Sequence, residues 1–282
     1  MFRPANSVLM GLAVVASEWV AERGLPPVAR ALAGFYVAFS LTAGVMIVND
    51  YFDREVDRIN RPDRPLPSGL VSSRLALSAA AGLFITGLLV SAIGPWSVLA
   101  FSLAALSFVV SMAYDAKLKA SGLLGNAIVS YNVALPFLYG SVMIGKLMPI
   151  NILFFGYAFA ANMAREVIKG VPDLEGDRAR GIKTVAVTWG ERAAAKLGAL
   201  LMVADVAASP LPFFMGYAGL PYLVVLAVGD VLLLHSTFYA LFGRGARSAW
   251  RGKNEMLLGM AVVVLAFFVS PLRGSPAGRR KG

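Results

Sequence analysis

Carboxylate and amide side chains recur at a spacing of four residues where a long apolar stretch ends. These residues are Asn49, Asp53 and Asp57. An α-helix turns by about 100° per residue, so positions four apart differ by only about 40° and form one stripe if the helix continues. Asp50 lies about 100° from that stripe. Oxygen ligands of this kind suit a hard cation such as Mg²⁺.

Arginines surround this stripe and make it suitable for an anion that shares the metal. Arg54, Arg58, Arg61 and Arg64 follow within the same stretch. Guanidinium groups bind phosphate oxygens through charge-assisted hydrogen bonds, so a diphosphate is the simplest such anion.

A second cluster lies far downstream and repeats the four-residue spacing with Asp173 and Asp177. Its cationic residues are Arg165, Lys169, Arg178, Arg180 and Lys183. One pair of carboxylates four apart is usually a solvated helix face. Two clusters, each at the end of an apolar segment, instead favour a shared site.

The composition places the chain in the membrane and limits its chemistry. Of its 282 residues 58% are hydrophobic and only 15% charged, which is too apolar for a soluble domain of this length. The sequence has no cysteine and one histidine, which excludes disulfides, thiolate metal sites and a histidine-rich zinc site. We therefore predict an all-α integral membrane protein whose chemistry depends on carboxylates.

Apolar segments near the roughly 20 residues that a span requires predict about nine transmembrane helices. The N-terminal segment lacks an obvious small-residue cleavage site, so we interpret it as a mature helix. The expected spans are 7–22, 31–52, 73–93, 96–114, 122–143, 149–168, 190–214, 220–242 and 254–271.

The distribution of basic residues orients these spans. Alternating loops on the side of the N-terminus hold 19 of the 26 lysines and arginines. By the positive-inside rule, the N-terminus and both aspartate clusters are expected in the cytoplasm of a multi-pass cell-membrane protein. The net charge of +10 thus indicates topology and phosphate binding, and we expect no nucleic-acid partner.

The two clusters together resemble the motifs of the UbiA family of intramembrane prenyltransferases. The family patterns NDxxDxxxD and DxxxD are both present without departure, and RPxRPLPSG and the stretch 114–119 are also similar. The resemblance covers nearly the whole chain and implies a ring of nine helices around a central cavity, with a cytoplasmic cap formed by the motif loops 50–72 and 165–189. We expect one domain over 1–272 and a disordered basic tail over 273–282.

The resemblance and the ligand types together predict the site residues. Two or more Mg²⁺ ions are expected to bridge a prenyl diphosphate to Asn49, Asp53, Asp57, Asp173 and Asp177. The candidate diphosphate-binding cations are Arg58, Arg61, Arg64, Lys117, Lys119 and Lys183. Candidates for lining the cavity or contacting the acceptor are Tyr114, Asn126, Tyr131 and Tyr139.

The expected reaction transfers a prenyl group, most simply geranylgeranyl, to a lipophilic acceptor, with membrane lipid as surroundings and no obligate protein partner. Three stretches are most similar to the archaeal ether-lipid branch of the family, whose acceptor is geranylgeranylglyceryl phosphate. A 4-hydroxybenzoate-type aromatic acceptor is the alternative within the family.

A divalent-cation transporter is the non-enzyme alternative, although transporters place acids near the bilayer midplane. A CDP-alcohol phosphotransferase is disfavoured because the chain has no DGxxAR stretch.

Overall fold

Helices are the only regular elements in the part of the chain that the structure describes. This computed structural model describes residues 4–94, 98–179, 181–243 and 246–270. The helices are α1 (Pro4–Glu22), α2 (Val28–Phe52), α3 (Arg54–Asn60), α4 (Ser73–Ile93), α5 (Val98–Ala113), α6 (Leu123–Met143), α7 (Pro149–Lys169), α8 (Leu174–Ala179), α9 (Val185–Trp189), α10 (Glu191–Ala208), α11 (Leu211–Phe214), α12 (Leu220–Phe242) and α13 (Ala246–Val269). A π-helical turn, Tyr114–Leu118, continues α5. The all-α prediction is confirmed.

Six helical segments are long and apolar enough to cross a membrane: Val28–Phe52, Ser73–Ile93, Val98–Leu118, Leu123–Met143, Glu191–Phe214 and Leu220–Phe242. Within the described ranges nine helices have 16 residues or more, and they lie where the nine spans were expected. Of these, α1, α7 and α13 are not among the six, although α13 has a shorter apolar part, Glu255–Val269. The chain is thus a multi-pass membrane protein, and crossing by all nine helices stays a prediction.

The expected span 190–214 differs from the structure because it is divided. Helix α10 ends at Ala208 and α11 begins at Leu211. Pro210 and Pro212 explain the break, because a proline lacks the backbone N–H that would continue the helical hydrogen bonds.

Small residues allow these helices to pack closely. Such packing is common in membranes, because lipid chains are as apolar as the helix surfaces and the hydrophobic effect contributes little to helix association. A Cβ atom at Gly140 of α6 would lie 2.5 Å from the Val14 carbonyl oxygen of α1. Near this contact, Asn151 of α7 donates hydrogen bonds to the Ser17 hydroxyl (2.7 Å) and to the Phe137 carbonyl (3.3 Å). These contacts join α1, α6 and α7.

Each long helix packs against the next long helix along the chain, and α13 packs against α1. Helix α1 also packs against α6. A cavity of about 50 Å³ lies among α1, α2, α5 and α6, and its lining includes Val14, Leu41, Thr42, Ser107, Asn132 and Tyr139. A ring of nine helices around one central cavity stays a prediction, and the expected tail 273–282 lies outside the described residues.

Candidate metal and diphosphate site

The first aspartate motif keeps helical geometry across the junction between α2 and α3. The Asp53 N–H donates to the Asn49 carbonyl (2.9 Å), and the Asp57 N–H donates to the Asp53 carbonyl (2.8 Å). Asp53 has φ −82° and ψ 0°, so the chain stays close to helical conformation there. The condition for one stripe, a helix that continues through the motif, is therefore met by these backbone hydrogen bonds, and the three side chains leave the helix on one side.

A different polar partner holds each side chain of that stripe. The Asn49 Nδ2 donates to Asp115 Oδ1 over 2.7 Å. The Lys119 Nζ donates to both carboxylate oxygens of Asp53, at 2.7 and 2.6 Å. The Arg64 Nη1 contacts Asp57 Oδ2 at 2.5 Å, and the same atom lies 3.4 Å from Asp50 Oδ1.

The π-helical turn at the end of α5 and the residue directly after it supply two of these three partners, Asp115 and Lys119. The Lys119 N–H donates to the Tyr114 carbonyl (3.0 Å), five residues earlier, which is the hydrogen-bond pattern of a π-helix. Single π turns within helices are frequent at functional sites. Asp115 is only 7% exposed, and its Oδ2 has no hydrogen-bond partner among the described residues.

Tyr114 of this turn is near acidic residues of both motifs. The charges of Glu166, of Asp53 in the first motif and of Asp177 in the second all act on its hydroxyl. The structure therefore brings the ends of α2 and α7 to the same region of the molecule.

The second motif repeats the geometry of the first on a shorter element. The Asp177 N–H donates to the carbonyl of Asp173, the residue directly before α8, over 2.9 Å, so the two carboxylates have helical spacing. Asp177 is buried and Asp173 half-buried. Glu166 in the last turn of α7 accepts hydrogen bonds from Arg165 (2.8 Å) and Lys169 (3.2 Å).

A backbone contact joins the loop of the second motif to the segment that carries Lys119. The Lys183 N–H donates to the Ala120 carbonyl (3.3 Å). Gly122 packs directly against the Lys183 carbonyl, with no room for a Cβ atom, and has φ 66° and ψ −121°. Both motifs are thus connected through residues 114–122.

The donor types at this site fit a hard divalent cation. Carboxylate and amide oxygens are the ligands that Mg²⁺ takes from proteins, usually as one or two carboxylates together with substrate phosphates. In the described part of the chain, no three acidic or histidine side chains lie close enough together to hold a metal by themselves. It is the chemistry of the donor atoms that fits a metal bound together with phosphate oxygens.

Only two of the six candidate cations contact motif carboxylates in the described residues, namely Lys119 and Arg64. Arg58 instead donates to the exposed Glu55 (2.7 Å). The hydrogen bond from Arg54 is the main cause that holds the pKa of Glu55 below its usual value. Arg61, Lys117 and Lys183 are exposed.

The candidate cavity residues lie at different depths. Tyr114 and Asn126 are half-buried near the cluster, and Tyr131 packs edge-on against Phe155 with ring centroids 6.1 Å apart. Tyr139 is buried, lines the cavity beside α1, and its hydroxyl lies 2.9 Å from the Ser91 hydroxyl. Of these four residues, Tyr114 is the one whose hydroxyl is influenced by the charges of motif carboxylates.

The sequence-based site omitted Asp115 and Glu166. Asp115 directly follows an apolar run and is flanked by Lys117 and Lys119, which is the same pattern that singled out Asp53. That pattern was the available signal, but it does not reveal that Asp115 contacts Asn49.

Comparison with known proteins gives consistent matches over nearly the whole chain. Residues 9–270 match the model of the UbiA prenyltransferase family. The digeranylgeranylglyceryl phosphate synthase of Thermococcus kodakarensis is 38% identical over 271 residues, which cover 96% of each chain. The enzyme of the same name from Methanopyrus kandleri is 37% identical over 270 residues, covering 96% of this chain and 97% of that one.

Solved structures show the same fold. A structure from work on digeranylgeranylglyceryl phosphate synthase in membranes has a TM-score of 0.81 and 28% identity, covering 96% of each chain. A UbiA homologue from Aeropyrum pernix has a TM-score of 0.77 at 16% identity, covering 94% of this chain and 99% of that one. A UbiA homologue from Archaeoglobus fulgidus, bound to GPP and Mg²⁺, has a TM-score of 0.63 at 19% identity, covering 92% and 98%.

Proposed function

The chain belongs to the UbiA prenyltransferase family, and from this membership we propose that it transfers a geranylgeranyl group from its diphosphate to geranylgeranylglyceryl phosphate. The product would be a membrane ether lipid. The observation that carries the choice of acceptor is the 38% identity to a digeranylgeranylglyceryl phosphate synthase over 96% of both chains. Both aspartate motifs fall within the matched length.

In this proposal the metal ligands come from both motifs. Asn49, Asp53, Asp57, Asp173 and Asp177 hold two or more Mg²⁺ ions, and the oxygen-donor set supports this assignment. When bound, Mg²⁺ neutralises the charge that develops on the departing diphosphate. The allylic C–O bond breaks with its electron pair remaining on diphosphate, and the acceptor hydroxyl forms the new C–O bond and loses its proton.

Cations of the loops bind the diphosphate, and Lys119 and Arg64 are the best placed because they already contact motif carboxylates. When a diphosphate binds together with its metal, both the cation and the carboxylate of each ion pair gain a new partner of opposite charge. The metal takes the place of Lys119 beside Asp53, and the ammonium of Lys119 then donates to a phosphate oxygen. Arg64 can exchange Asp57 for a phosphate oxygen in the same way.

The isoprenoid chain requires an apolar space that excludes water from the reacting carbon. We place this space inside the helical bundle below the motifs, where Tyr131 and Tyr139 are available as aromatic surface. An aromatic face also stabilises a nearby cation through its quadrupole.

The same proposal includes one domain over 1–272, with nine helices in a ring, a cap formed by the motif loops, and the N-terminus in the cytoplasm. Support comes from the packing of α13 against α1 and from the basic residues concentrated in alternating loops. No protein partner is required for the reaction.

A transfer assay with the purified protein tests this function. The protein receives Mg²⁺, radiolabelled geranylgeranyl diphosphate and, in parallel, geranylgeranylglyceryl phosphate or 4-hydroxybenzoate. We expect label in the glyceryl lipid, only when Mg²⁺ is present. Label in the aromatic product alone would overturn the ether-lipid acceptor and leave prenyl transfer intact.

The transporter alternative predicts a different result. Reconstituted protein would then move Mg²⁺ across vesicles without any diphosphate. An enzyme should instead retain Mg²⁺ only when a diphosphate is bound with it.

A further inference from the structure

A buried carboxylate that belongs to neither aspartate motif contacts the first residue of motif one. Asp115 is 7% exposed and lies on the π-helical turn after α5. Its Oδ1 accepts a hydrogen bond of 2.7 Å from Asn49 Nδ2, across 66 positions of sequence. Because this carboxylate oxygen accepts the hydrogen bond, it faces the nitrogen end of the Asn49 amide.

This contact determines which end of the Asn49 side chain is available to a ligand. An amide group carries a donor nitrogen and an acceptor oxygen on the same carbon, so fixing one direction fixes the other. With Nδ2 bound to Asp115, the carbonyl oxygen Oδ1 points away from Asp115. The reverse orientation would place two acceptor oxygens in contact and is disfavoured.

Only the oxygen end of an asparagine can ligate a hard cation, because the amide nitrogen carries two hydrogens and no available lone pair. The orientation of Asn49 therefore decides whether it can act as a ligand at all. Asn49 is half-buried, so the residue is partly accessible.

We propose that Asp115 is a positioning residue that holds the Asn49 amide with its oxygen toward the metal. This inference rests on the proposed function, in which Asn49 is a metal ligand. Partners of this kind behind metal ligands commonly contribute 10–100-fold to metal affinity. The same π-helical segment that carries Asp115 leads into Lys119, so one local structure orients both Asn49 and Asp53.

The test measures the binding of Mn²⁺, as a spectroscopic substitute for Mg²⁺, to the full-length protein with inorganic pyrophosphate present. Free Mn²⁺ is followed by electron paramagnetic resonance. We expect Asp115→Leu to weaken Mn²⁺ binding by about 10–100-fold. Asp115→Asn should give an intermediate loss, because its amide can accept from the Asn49 nitrogen but can also donate to the Asn49 oxygen, and so fixes the orientation less well.

A second substitution gives the sharper test. In the otherwise native protein, Asn49→Asp places a carboxylate against Asp115, and we expect weaker Mn²⁺ binding. In the Asp115→Leu background the same Asn49→Asp change should strengthen Mn²⁺ binding, because both oxygens of a carboxylate can ligate and orientation no longer matters. The double variant also has the same net charge as the original protein.

Thermal unfolding of each variant separates a loss of positioning from a general loss of structure. Asp63→Asn serves as the control: Asp63 is an exposed acid in the loop of the first motif, and its substitution should change neither Mn²⁺ binding nor the unfolding temperature. Native-like Mn²⁺ binding by Asp115→Leu would overturn the inference. So would failure of Asn49→Asp to restore binding in the Asp115→Leu background. If the original protein itself binds no Mn²⁺ with pyrophosphate, the proposed metal site fails together with the inference.

Discussion

The ammonium group of Lys119 lies 2.7 and 2.6 Å from the two carboxylate oxygens of Asp53. A proposed diphosphate-binding cation thus neutralises a proposed metal ligand. In the proposed function, a metal–diphosphate complex would supply both with better partners at once, since the metal would replace the ammonium and a phosphate would replace the carboxylate. The pair would then favour joint binding of metal and diphosphate over binding of either one alone.

Replacing Lys119 with alanine should change two affinities in opposite directions. We expect prenyl diphosphate to bind about 10–100-fold more weakly, the magnitude of a lost hydrogen bond to a charged group. Mn²⁺ without diphosphate should bind more tightly, because Asp53 loses its competing cation. Calorimetry with prenyl diphosphate and Mn²⁺ titration measure the two effects, with the exposed Arg192→Ala as control. Equal weakening of donor and acceptor binding would indicate that Lys119 positions the acceptor instead.

Removing Arg64 should affect stability as well as substrate binding. Asp57 is 8% exposed, and its contact with Arg64 Nη1 is 2.5 Å long. Arg64→Ala leaves this buried carboxylate without its cation, a change that costs about 3–5 kcal/mol where a buried pair is broken. We expect a lower unfolding temperature and weaker prenyl diphosphate binding. The matched control for stability is Arg58→Ala, because Arg58 contacts the exposed Glu55; an equal fall in the unfolding temperature of both variants would contradict this role of Arg64.

Loss of a metal ligand in either motif should abolish turnover. We expect Asp53→Ala and Asp173→Ala each to lower the transfer rate on the order of a thousandfold or more, because several kcal/mol of leaving-group stabilisation disappear. Both proteins should still insert into the membrane and purify normally. The exposed Asp63→Ala is the matched control. Near-native turnover in either motif variant would remove that aspartate from the metal site.

Substituting Gly122 tests the contact between the two loops. Gly122 and Gly181 both have positive φ, 66° and 68°, so alanine causes backbone strain at either position, and Gly122 also has a ψ of −121°, a combination that glycine adopts far more readily than alanine. A Cβ atom at Gly122 would also overlap the Lys183 carbonyl, whereas nothing lies within 4 Å of one at Gly181. We expect Gly122→Ala to lower the free energy of unfolding by about 1–3 kcal/mol more than Gly181→Ala, through overpacking. Thermal unfolding measures this difference, and identical values would show that the loops separate without cost.

Much of the fold and part of the site follow from the sequence alone. Apolar runs near spanning length predicted the positions of the long helices, because lipid requires every backbone polar group to be bonded within its own segment. The four-residue spacing predicted that Asn49, Asp53 and Asp57 share one helix face, and the backbone hydrogen bonds confirm this. These features depend on interactions between near neighbours in the chain.

The partners of those side chains depend on tertiary packing. Asn49 with Asp115 and Asp53 with Lys119 each span 66 positions, and no local periodicity specifies which helix ends meet. Arg58 and Arg64 look equivalent in the sequence, yet Arg58 contacts the exposed Glu55 and Arg64 the buried Asp57. Local spacing determines the direction in which a side chain leaves its helix. Only the packing of the bundle decides what it meets there, because that depends on contacts between distant segments.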